Sequence, residues 1–539
     1  MRAALLALLA AAGCARLVGI EGFTPAGDGG GGDGSSGGPL APPATRSPWN
    51  GVYTGAVGAS TALRPEFRYA AVPGATHYEL ALDRTCDVAS MQTCPFANAL
   101  TLTSTTTSVR PTDPLPVTTA RPVGSRYFWR VRACDDADCG AWSDVRYLNV
   151  GRLLDDTDGD GYSDVVVGSL KLNAAFYYQG SPAGLPVGSP PDTIPTPTDQ
   201  FGLGNTFSFF ADTLVAGDFD GDGFADVAVW GADSSGIDGD IFVLEGSTTG
   251  LQSTSVPQLT DPTSNQDSFG SRMFSPGDLN GDGFDDLVVN NNDQLDLYLG
   301  GPAGLRSPPM AITVPSLTGG HQSNNGIGDV DGDGFADFAI ADGSNQHLLV
   351  FTGAAGDTAG ATQIAQLAVA GTSEFGFVVT GGLLDGDELS DLVVFGQDGS
   401  GNGLAYGFHG TPGGVAATPY QTTVGPTGFG GCAEVVTDDT TPYVIAGAQD
   451  RVVELDGTLA IQGTFQDGTA DARFGENIGA CDCNGDGHPD LLLAGPEAQP
   501  TGGKAGIVYV HYGMAAAVSD QLWVSTSANL PEFGQALTQ

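Results

Sequence analysis

Basic residues are scarce in this chain. It contains 19 Lys and Arg against 63 Asp and Glu, which gives a formal net charge of −44 at pH 7. Proteins bind nucleic acids through clusters of Lys and Arg, so this imbalance excludes nucleic acid as a partner. Binding to a bare anionic membrane surface is disfavoured for the same reason.

Catalytic and cofactor signatures are also missing. The six His residues form no H-E-x-x-H pair, and the chain has neither a P-loop nor a dinucleotide-binding glycine fingerprint. No C-x-x-C pair or Cys/His cluster with zinc spacing occurs. We therefore predict that the protein is not an enzyme.

Long apolar runs are missing after the first few residues, so no later stretch could span a bilayer. Residues 1–14, MRAALLALLAAAGC, have one Arg, an apolar core and small residues before Cys14. This pattern predicts an export signal. The end AAGC resembles a bacterial lipobox, with Ala11 where Leu is usual, which implies that Cys14 carries a lipid. We expect a lipid-anchored protein of the bacterial cell envelope, at the outer membrane or cell surface; an ordinary signal and secretion is the alternative.

Glycine, by contrast, is abundant, with 82 residues, and helical periodicity is rare. Both features predict an all-β chain. Residues 15–48 are rich in Gly, Ser and Pro and read as a flexible linker. Residues 49–150 show the alternating strands of a small sandwich and resemble a fibronectin type III domain, with Tyr127–Val131 as its central strand and Trp142-Ser143 before the last.

One acidic nine-residue loop occurs five times and is the main motif of the chain. Each copy has Asp or Asn at positions 1, 3 and 5, Gly at position 6 and Asp at position 9. We number the copies by the repeat unit that contains them, as loops 1 to 4 and loop 7. The candidate ligands are Asp156, Asp158, Asp160 and Asp164 in loop 1; Asp218, Asp220, Asp222 and Asp226 in loop 2; Asp278, Asn280, Asp282 and Asp286 in loop 3; Asp329, Asp331, Asp333 and Asp337 in loop 4; and Asp482, Asn484, Asp486 and Asp490 in loop 7.

This ligand set is typical of calcium. Ca²⁺ takes six to eight oxygen ligands, and Gly at position 6 permits the sharp turn that brings them together. An EF-hand is excluded because position 12 of loop 1 is Val167 rather than Glu and because each final Asp opens an apolar, strand-like run. The chain also lacks the tandem nonapeptides of RTX repeats. We expect about five bound Ca²⁺ ions, one for each complete loop.

The spacing of the loops indicates a repeat protein. The position-9 Asp residues of loops 1 to 4 are 62, 60 and 51 residues apart, and the next step, to loop 7, is 153 residues. Two decayed copies fill that gap. Loop 5, residues 383–391, keeps the weak candidate ligands Asp385, Asp387 and Asp391 but has Leu383 at position 1 and Glu388 at position 6; the sixth unit keeps only the strand 443–446. The chain therefore has seven units.

Each unit repeats the same landmarks. A Phe-Gly pair, as in Phe269-Gly270, precedes a strand, the acidic loop and an apolar strand; an aromatic-rich strand and a more polar one follow. Four strands in each of seven units predict a seven-bladed β-propeller over residues 151–539. These motifs resemble the FG-GAP repeats of the integrin α-subunit propeller and its bacterial relatives. Unit four departs from them, with Gly319-Gly320 in place of Phe-Gly.

That resemblance implies where the loops and the partners lie. The loops would join the first two strands of each blade on one face, and partner contacts would come from the opposite face. We expect an envelope-anchored recognition or adhesion module, monomeric, that binds a protein or glycan on a surface and contacts the membrane only through its lipid. A structural envelope or matrix component is one alternative, and a glycan- or ester-cleaving enzyme is another.

The C-terminus suggests how the ring closes. Residues 533–539 resemble the first strand of a unit that has no loop after it, whereas loop 1 has no Phe-Gly pair before it. We expect this segment to supply the innermost strand of the first blade; the alternative is that residues 148–154 fill that place.

Eight Cys residues in an exported chain suggest disulfides. Cys86 with Cys94, and Cys134 with Cys139, are close enough in sequence to clip loops of the sandwich. Cys432 could pair with Cys481, while Cys483 could pair instead or stay free.

Overall fold

The computed structural model describes residues 39–538. Omitted from the description are residues 60, 170–171, 187–191, 196–210, 212, 233–238, 253–256, 263–268, 292–293, 313, 315–323, 343–346, 357–360, 439–440, 467–473, 496–505, 514–520 and 525–532. The signal with Cys14, most of the linker, the Phe201-Gly202 pair and Gly319-Gly320 lie outside the described residues. One compact unit spans Leu40–Gln539.

Apart from one short helix, the described residues form strands and turns. The helix is a 3₁₀ segment, Val88–Thr93. None of the described helical structure has the length and apolar character needed to cross a membrane. The chain is therefore all-β, as predicted.

The N-terminal part of the compact unit is a two-sheet sandwich. Its strands are β1 (Thr45–Ser47), β2 (Phe67–Tyr69), β3 (His77–Asp83), β4 (Leu100–Ser104), β5 (Ser108–Val109), β6 (Ser125–Cys134) and β7 (Arg146–Val150). One sheet has the order β1-β2-β5 and the other β4-β3-β6-β7. Trp129 of β6 is fully buried in the core and meets Phe67 edge-on, with ring centroids 5.2 Å apart.

The sandwich begins earlier than the sequence division at residue 49 suggested. Strand β1 lies in the stretch assigned to the linker, and it pairs antiparallel with β2. The amide of Ala70 also donates a hydrogen bond to the carbonyl of Ala44. A strand of three residues is too short to show an alternating pattern, so its place is set by pairing with a distant segment.

The remainder forms seven four-stranded antiparallel sheets. Their strands are β8 (Val165–Ser169), β9 (Ala174–Tyr178), β10 (Asp192–Pro195), β11 (Leu214–Gly217), β12 (Asp226–Ala232), β13 (Gly239–Leu244), β14 (Gln258–Thr260), β15 (Met273–Gly277), β16 (Asp286–Asn291), β17 (Gln294–Tyr298), β18 (Met310–Ile312), β19 (Asn324–Gly328), β20 (Asp337–Asp342), β21 (His347–Thr352), β22 (Thr362–Leu367), β23 (Val379–Gly382), β24 (Asp391–Gln397), β25 (Gly403–Phe408), β26 (Gly410–Thr411), β27 (Gly414–Val415), β28 (Gln421–Val424), β29 (Ala433–Asp438), β30 (Thr441–Ala448), β31 (Arg451–Asp456), β32 (Ile461–Phe465), β33 (Asn477–Cys481), β34 (Asp490–Gly495), β35 (Ile507–His511), β36 (Gln521–Val524) and β37 (Phe533–Leu537).

Strand order is the same in every sheet. Sheets I to VII are β37-β8-β9-β10, β11-β12-β13-β14, β15-β16-β17-β18, β19-β20-β21-β22, β23-β24-β25-β28, β29-β30-β31-β32 and β33-β34-β35-β36; β26 and β27 form a separate hairpin. The two decayed copies in the sequence are sheets V and VI, so the loss of loop ligands has not removed the sheets.

Apolar clusters join each sheet to the next around a complete circuit. Buried side chains are shared between sheets I and II, II and III, III and IV, IV and V, V and VI, VI and VII, and VII and I. The second strand of a sheet is thus covered on both faces. This arrangement explains why runs such as Val165–Ser169 are buried at every position rather than at alternate positions.

The C-terminal strand completes sheet I, as predicted. Strand β37 pairs antiparallel with β8, and Thr538 exchanges backbone and side-chain hydrogen bonds with Val166. Leu537 is buried in the cluster between sheets VII and I. The alternative is wrong, because Leu148 and Val150 belong to β7 of the sandwich.

Three disulfides occur among the described residues. Cys86–Cys94 and Cys134–Cys139 are the two predicted clips of the sandwich. The third joins Cys481 to Cys483 across the end of β33, and Cys432 is a free thiol. The suggested pair of Cys432 with Cys481 is therefore wrong; the chain turn into loop 7 brings the two nearer Cys residues together.

Leu537→Ala tests the role of the closing strand. It removes buried apolar volume between sheets VII and I, so we expect the free energy of unfolding to fall by about 2–5 kcal/mol. Thermal and denaturant melts measure this change. Val424→Ala is the matched control, because Val424 is 62% exposed and its loss should change little. Equal melting temperatures for Leu537→Ala and the control would contradict ring closure by β37.

Candidate calcium-binding loops

All the acidic loops hold equivalent places in the fold. Loop 2 joins β11 to β12, loop 3 joins β15 to β16, loop 4 joins β19 to β20, and loop 7 joins β33 to β34. Loop 1 precedes β8, whose inner neighbour is β37. Loops 2, 3, 4 and 7 thus connect the first and second strands of their sheets, as predicted, whereas loop 1 leads from β7 of the sandwich into the second strand of sheet I.

Within each loop, the carboxylate at position 1 is held by the glycine at position 6. The glycine amide donates to that carboxylate at 2.7 Å in loop 1, 3.2 Å in loop 2, 2.8 Å in loop 3, 2.9 Å in loop 4 and 3.0 Å in loop 7. These glycines have φ between 87° and 96°, the left-handed region that side chains disfavour. The backbone at position 6 therefore adopts the conformation for which the sequence predicted a glycine.

The Asp at position 9 connects the loop to the third strand of its sheet. One oxygen of Asp226 accepts the amide of Phe219 at 3.0 Å, and the other accepts the amide of Gly246, beyond β13, at 2.9 Å. The same pair of bonds occurs in loops 3, 4 and 7. The partner glycines were not identified from the sequence. The signal was present, because each aromatic-rich strand is followed by Gly.

The candidate ligands converge, as a cation site requires. Carboxylate oxygens of Asp156, Asp158 and Asp164 all lie within 4.8 Å of one another, and those of Asp218, Asp220 and Asp222 do the same. In both loops, the position-1 Asp is buried, and in loop 2 the position-5 Asp is open to solvent.

Two loops contain orphaned oxygens that suit a metal. Oδ1 of Asp218 and Oδ1 of Asp482 are buried and accept no hydrogen bond from the described chain. Leaving a buried carboxylate oxygen without a partner is costly unless a cation completes its coordination. Both atoms belong to position 1, so the residues present fit a calcium ion.

The electrostatics of the loops lead to the same conclusion. Burial, reinforced by the neighbouring carboxylates, raises the pKa of Asp156 to about 7 and that of Asp337 to about 8. Burial likewise raises the pKa of Asp329 and of Asp490 to about 7. Without a cation these groups would take up protons near neutral pH, because like charges are crowded in a place that water reaches poorly.

Loop 5 differs in both its ligands and its neighbours. The imidazole Nδ1 of His409 lies 3.1 Å from Oδ2 of Asp385 and 3.2 Å from Oδ1 of Asp391, and its ring stacks on Tyr420. Asp387 donates its amide to Asp385, as position 5 does in the complete loops. Leu383 supplies no carboxylate at position 1. The side chain of His409, which directly follows the third strand, thus contacts two of the three weak candidate ligands.

Comparisons with known families place FG-GAP repeats in this chain. Residues 278–340 match the FG-GAP-like repeat family, and residues 474–511 match the FG-GAP repeat family. The first segment contains loops 3 and 4, and the second contains loop 7. Together with the antiparallel sheets, these matches support an FG-GAP β-propeller.

Two integrin subunits of Drosophila melanogaster are similar over part of the chain. Integrin alpha-PS3 is 32% identical over 158 residues, and integrin alpha-PS5 is 34% identical over 149 residues. The alignments cover 26% and 24% of this chain but only 14% and 15% of those integrins.

Solved structures show looser likenesses. AofleA from Arthrobotrys oligospora is 12% identical, with a TM-score of 0.35 over 69% of this chain and 93% of its own. A Lactobacillus plantarum protein is 10% identical, with a TM-score of 0.39 over 69% of this chain and 98% of its own. These likenesses are too weak to bear on function.

The raised pKa values predict an unusual pH dependence for calcium-free protein. Unfolded Asp has a pKa of about 3.9, so between about pH 4 and pH 8 the folded state binds more protons than the unfolded state. Stability should therefore fall as pH rises through this window. We expect a lower melting temperature at pH 8 than at pH 5 after calcium is removed, and loss of that difference when calcium is restored. Equal melts at the two pH values without calcium would contradict the account.

Proposed function

We propose that this protein is a calcium-binding recognition module of the bacterial cell envelope. It comprises a fibronectin III-like sandwich and a seven-bladed FG-GAP β-propeller, and a lipid on Cys14 holds it at the outer membrane or cell surface. The observation that carries the calcium assignment is the repeated loop with converging carboxylates and, in loops 2 and 7, an orphaned position-1 oxygen. About five ions are expected, one for each complete loop.

Each loop residue has a defined part in this proposal. Positions 1, 3 and 5 would supply oxygens from the turn, and position 9 would supply one from the start of the second strand. Calcium, when bound, supplies two positive charges and six to eight coordination positions. Because position 9 also bonds the loop to the third strand, the ligands hold three strands of one sheet in register. The role of the site is to fix the hairpins rather than to perform chemistry, and we propose no enzymatic activity.

The proposed recognition role rests on the FG-GAP repeats and on the contact between the loops and the sandwich. The similar segments of the two Drosophila proteins belong to integrin subunits, which favours a binding role for the same repeats here. The face that carries the loops is in contact with the sandwich of this chain, as described below. A protein or glycan partner would therefore bind the opposite face, and the chain itself would act as a monomer.

Asp220→Ala tests the metal assignment at one loop. It removes a position-3 ligand of loop 2, so we expect one calcium ion fewer and a modestly lower melting temperature. Equilibrium dialysis with calcium counting measures the first effect. Asp113→Ala, at an exposed position of the sandwich outside the loops, is the matched control. Unchanged calcium uptake by Asp220→Ala would refute the assignment of loop 2.

Capture of envelope components tests the recognition role. Immobilised protein in calcium should retain a protein or glycan that washes off when calcium is chelated. Leu537→Ala, which weakens the ring without altering a loop, should retain less of it. No retention above a bare support would favour a structural envelope component. Turnover of a glycan or ester substrate by the purified chain would instead establish an enzyme.

A further inference from the structure

Position 6 of the loops is a recurrent point of contact between the sandwich and the propeller. The guanidinium of Arg126, in β6, donates to the carbonyl of Gly283 in loop 3 at 3.0 Å. Arg146, in β7, lies over Gly334 of loop 4, where an added side-chain carbon would be only 2.4 Å from its guanidinium. Arg152, directly after β7, lies over Gly223 of loop 2, with the corresponding distance 2.9 Å. Three consecutive loops thus have an arginine over the same position.

Loops 1 and 7 also contact the sandwich. Arg121 forms ion pairs with Asp158 at 3.0 Å and with Asp160 at 3.1 Å. In loop 7, a side-chain carbon added at Gly487 would lie 2.4 Å from the Cβ of Ala59. Glycine at position 6 therefore permits close approach of a second domain as well as the turn itself.

Loop 5 keeps this contact although it has lost the glycine. Its position-6 residue, Glu388, pairs with Arg46 at 3.0 Å and lies 3.6 Å from Arg68, both in the sandwich. The replacement of glycine by Glu388 is thus explained by its ion pairs with the sandwich. An acidic side chain meets basic ones at the position where the complete loops present a bare backbone.

Charge balance connects this contact to the metal. Loops 1, 2 and 4 each contain four candidate carboxylates. Loops 1 and 4 each meet one arginine, Arg121 or Arg146, whereas loop 2 lies near two, Arg126 and Arg152. With all carboxylates ionised, the net charge is −3 in loops 1 and 4 and −2 in loop 2, and a calcium ion would bring these charges to −1 and 0. Covering unbalanced charge is costly, so docking on loops without a cation is opposed.

We propose that calcium in the loops and the docked sandwich stabilise each other, so that the sandwich is a calcium-dependent cover for the loop face. The inference rests on the proposed calcium function. It goes beyond that function by assigning the metal an effect outside its own sheet. Removal of calcium should loosen the sandwich from the propeller while the sandwich itself stays folded.

Two backbone amides report docking directly. The amide of Asn50 donates to the carbonyl of Gly334 at 3.0 Å, and the amide of Val123 donates to the carbonyl of Gly159 at 2.9 Å. The first crosses to loop 4 and the second to loop 1. Paired amides of β3 and β6, around Leu80 and Val131, report the folding of the sandwich itself.

Hydrogen exchange of the full purified chain, with and without calcium, is the principal test. Chelation should speed exchange at Asn50 and Val123 by about 10-fold or more while β3 and β6 keep their protection. Calcium is counted on the same sample. If ions bind but exchange at Asn50 and Val123 does not respond to them, the inference is overturned and the calcium function stands. If no ions bind, the calcium function itself fails.

If chelation unfolds the whole chain, variants that lose calcium from a single loop provide the same test. Asp331→Ala removes the position-3 ligand of loop 4, so exchange at Asn50 should rise while exchange at Val123, over loop 1, stays unchanged. Asp113→Ala makes the same chemical change at an exposed position outside the loops and should alter neither. The proposed coupling would be contradicted if exchange rose equally at Asn50, at Val123 and in strands β3 and β6, or if exchange at Asn50 did not rise.

The reverse effect follows from linkage, because two events that favour each other do so reciprocally. Glu388→Lys places a positive charge against Arg46 and Arg68 without altering a complete loop, so it should weaken docking and lower the average calcium affinity several-fold. Asp113→Lys, an exposed charge reversal elsewhere in the sandwich, is the control. Equal calcium affinities of the two variants would overturn the reciprocal part of the inference.

Discussion

Repulsion among carboxylates held close together in one face of the ring is the constraint on which the other features depend. Oxygens of three Asp residues lie within 4.8 Å of one another in loop 1 and again in loop 2. Two like charges about 4 Å apart repel by about 1 kcal/mol in water and about 4 kcal/mol near a protein surface. A fold that repeats this arrangement five times needs positive charge at the same places. The arginines of the sandwich supply part of it, and the proposed calcium ions would supply the rest.

The ring supplies the rigidity that keeps the carboxylates together. Each second strand is apolar on both faces because it packs against two neighbouring sheets, and the last strand of the chain completes the first sheet. The loops are therefore short connections between fixed strand ends. The position-9 Asp links the loop to the sheet. Asp226, for example, is the first residue of β12, and its carboxylate accepts hydrogen bonds from Phe219 in the loop and from Gly246 after the third strand.

Local patterns predicted the parts of the fold that depend on nearby residues. The acidic loops, the glycine at position 6 and the strands could be inferred from spacing. The pairing of residues 533–539 with the first sheet spans most of the chain, and it could be inferred because the repeat leaves one strand without a loop. Other contacts between distant segments could not be inferred. Glu388 looked like decay until Arg46 and Arg68 were found beside it, and His409 was unremarkable until the third strand brought it to Asp385. Strand β1 was missed because nothing in its immediate sequence marks it. The Cys481–Cys483 pair was missed because Cys432 was available as an alternative partner of Cys481.

The most direct test of the central claim is a crystal structure grown in calcium, with anomalous scattering used to locate the ions. The account predicts peaks in loops 1, 2, 3, 4 and 7, each between the carboxylates at positions 1, 3, 5 and 9, and the sandwich seated on the loop face. Absence of peaks from these loops under saturating calcium, or peaks confined to other sites, would contradict it.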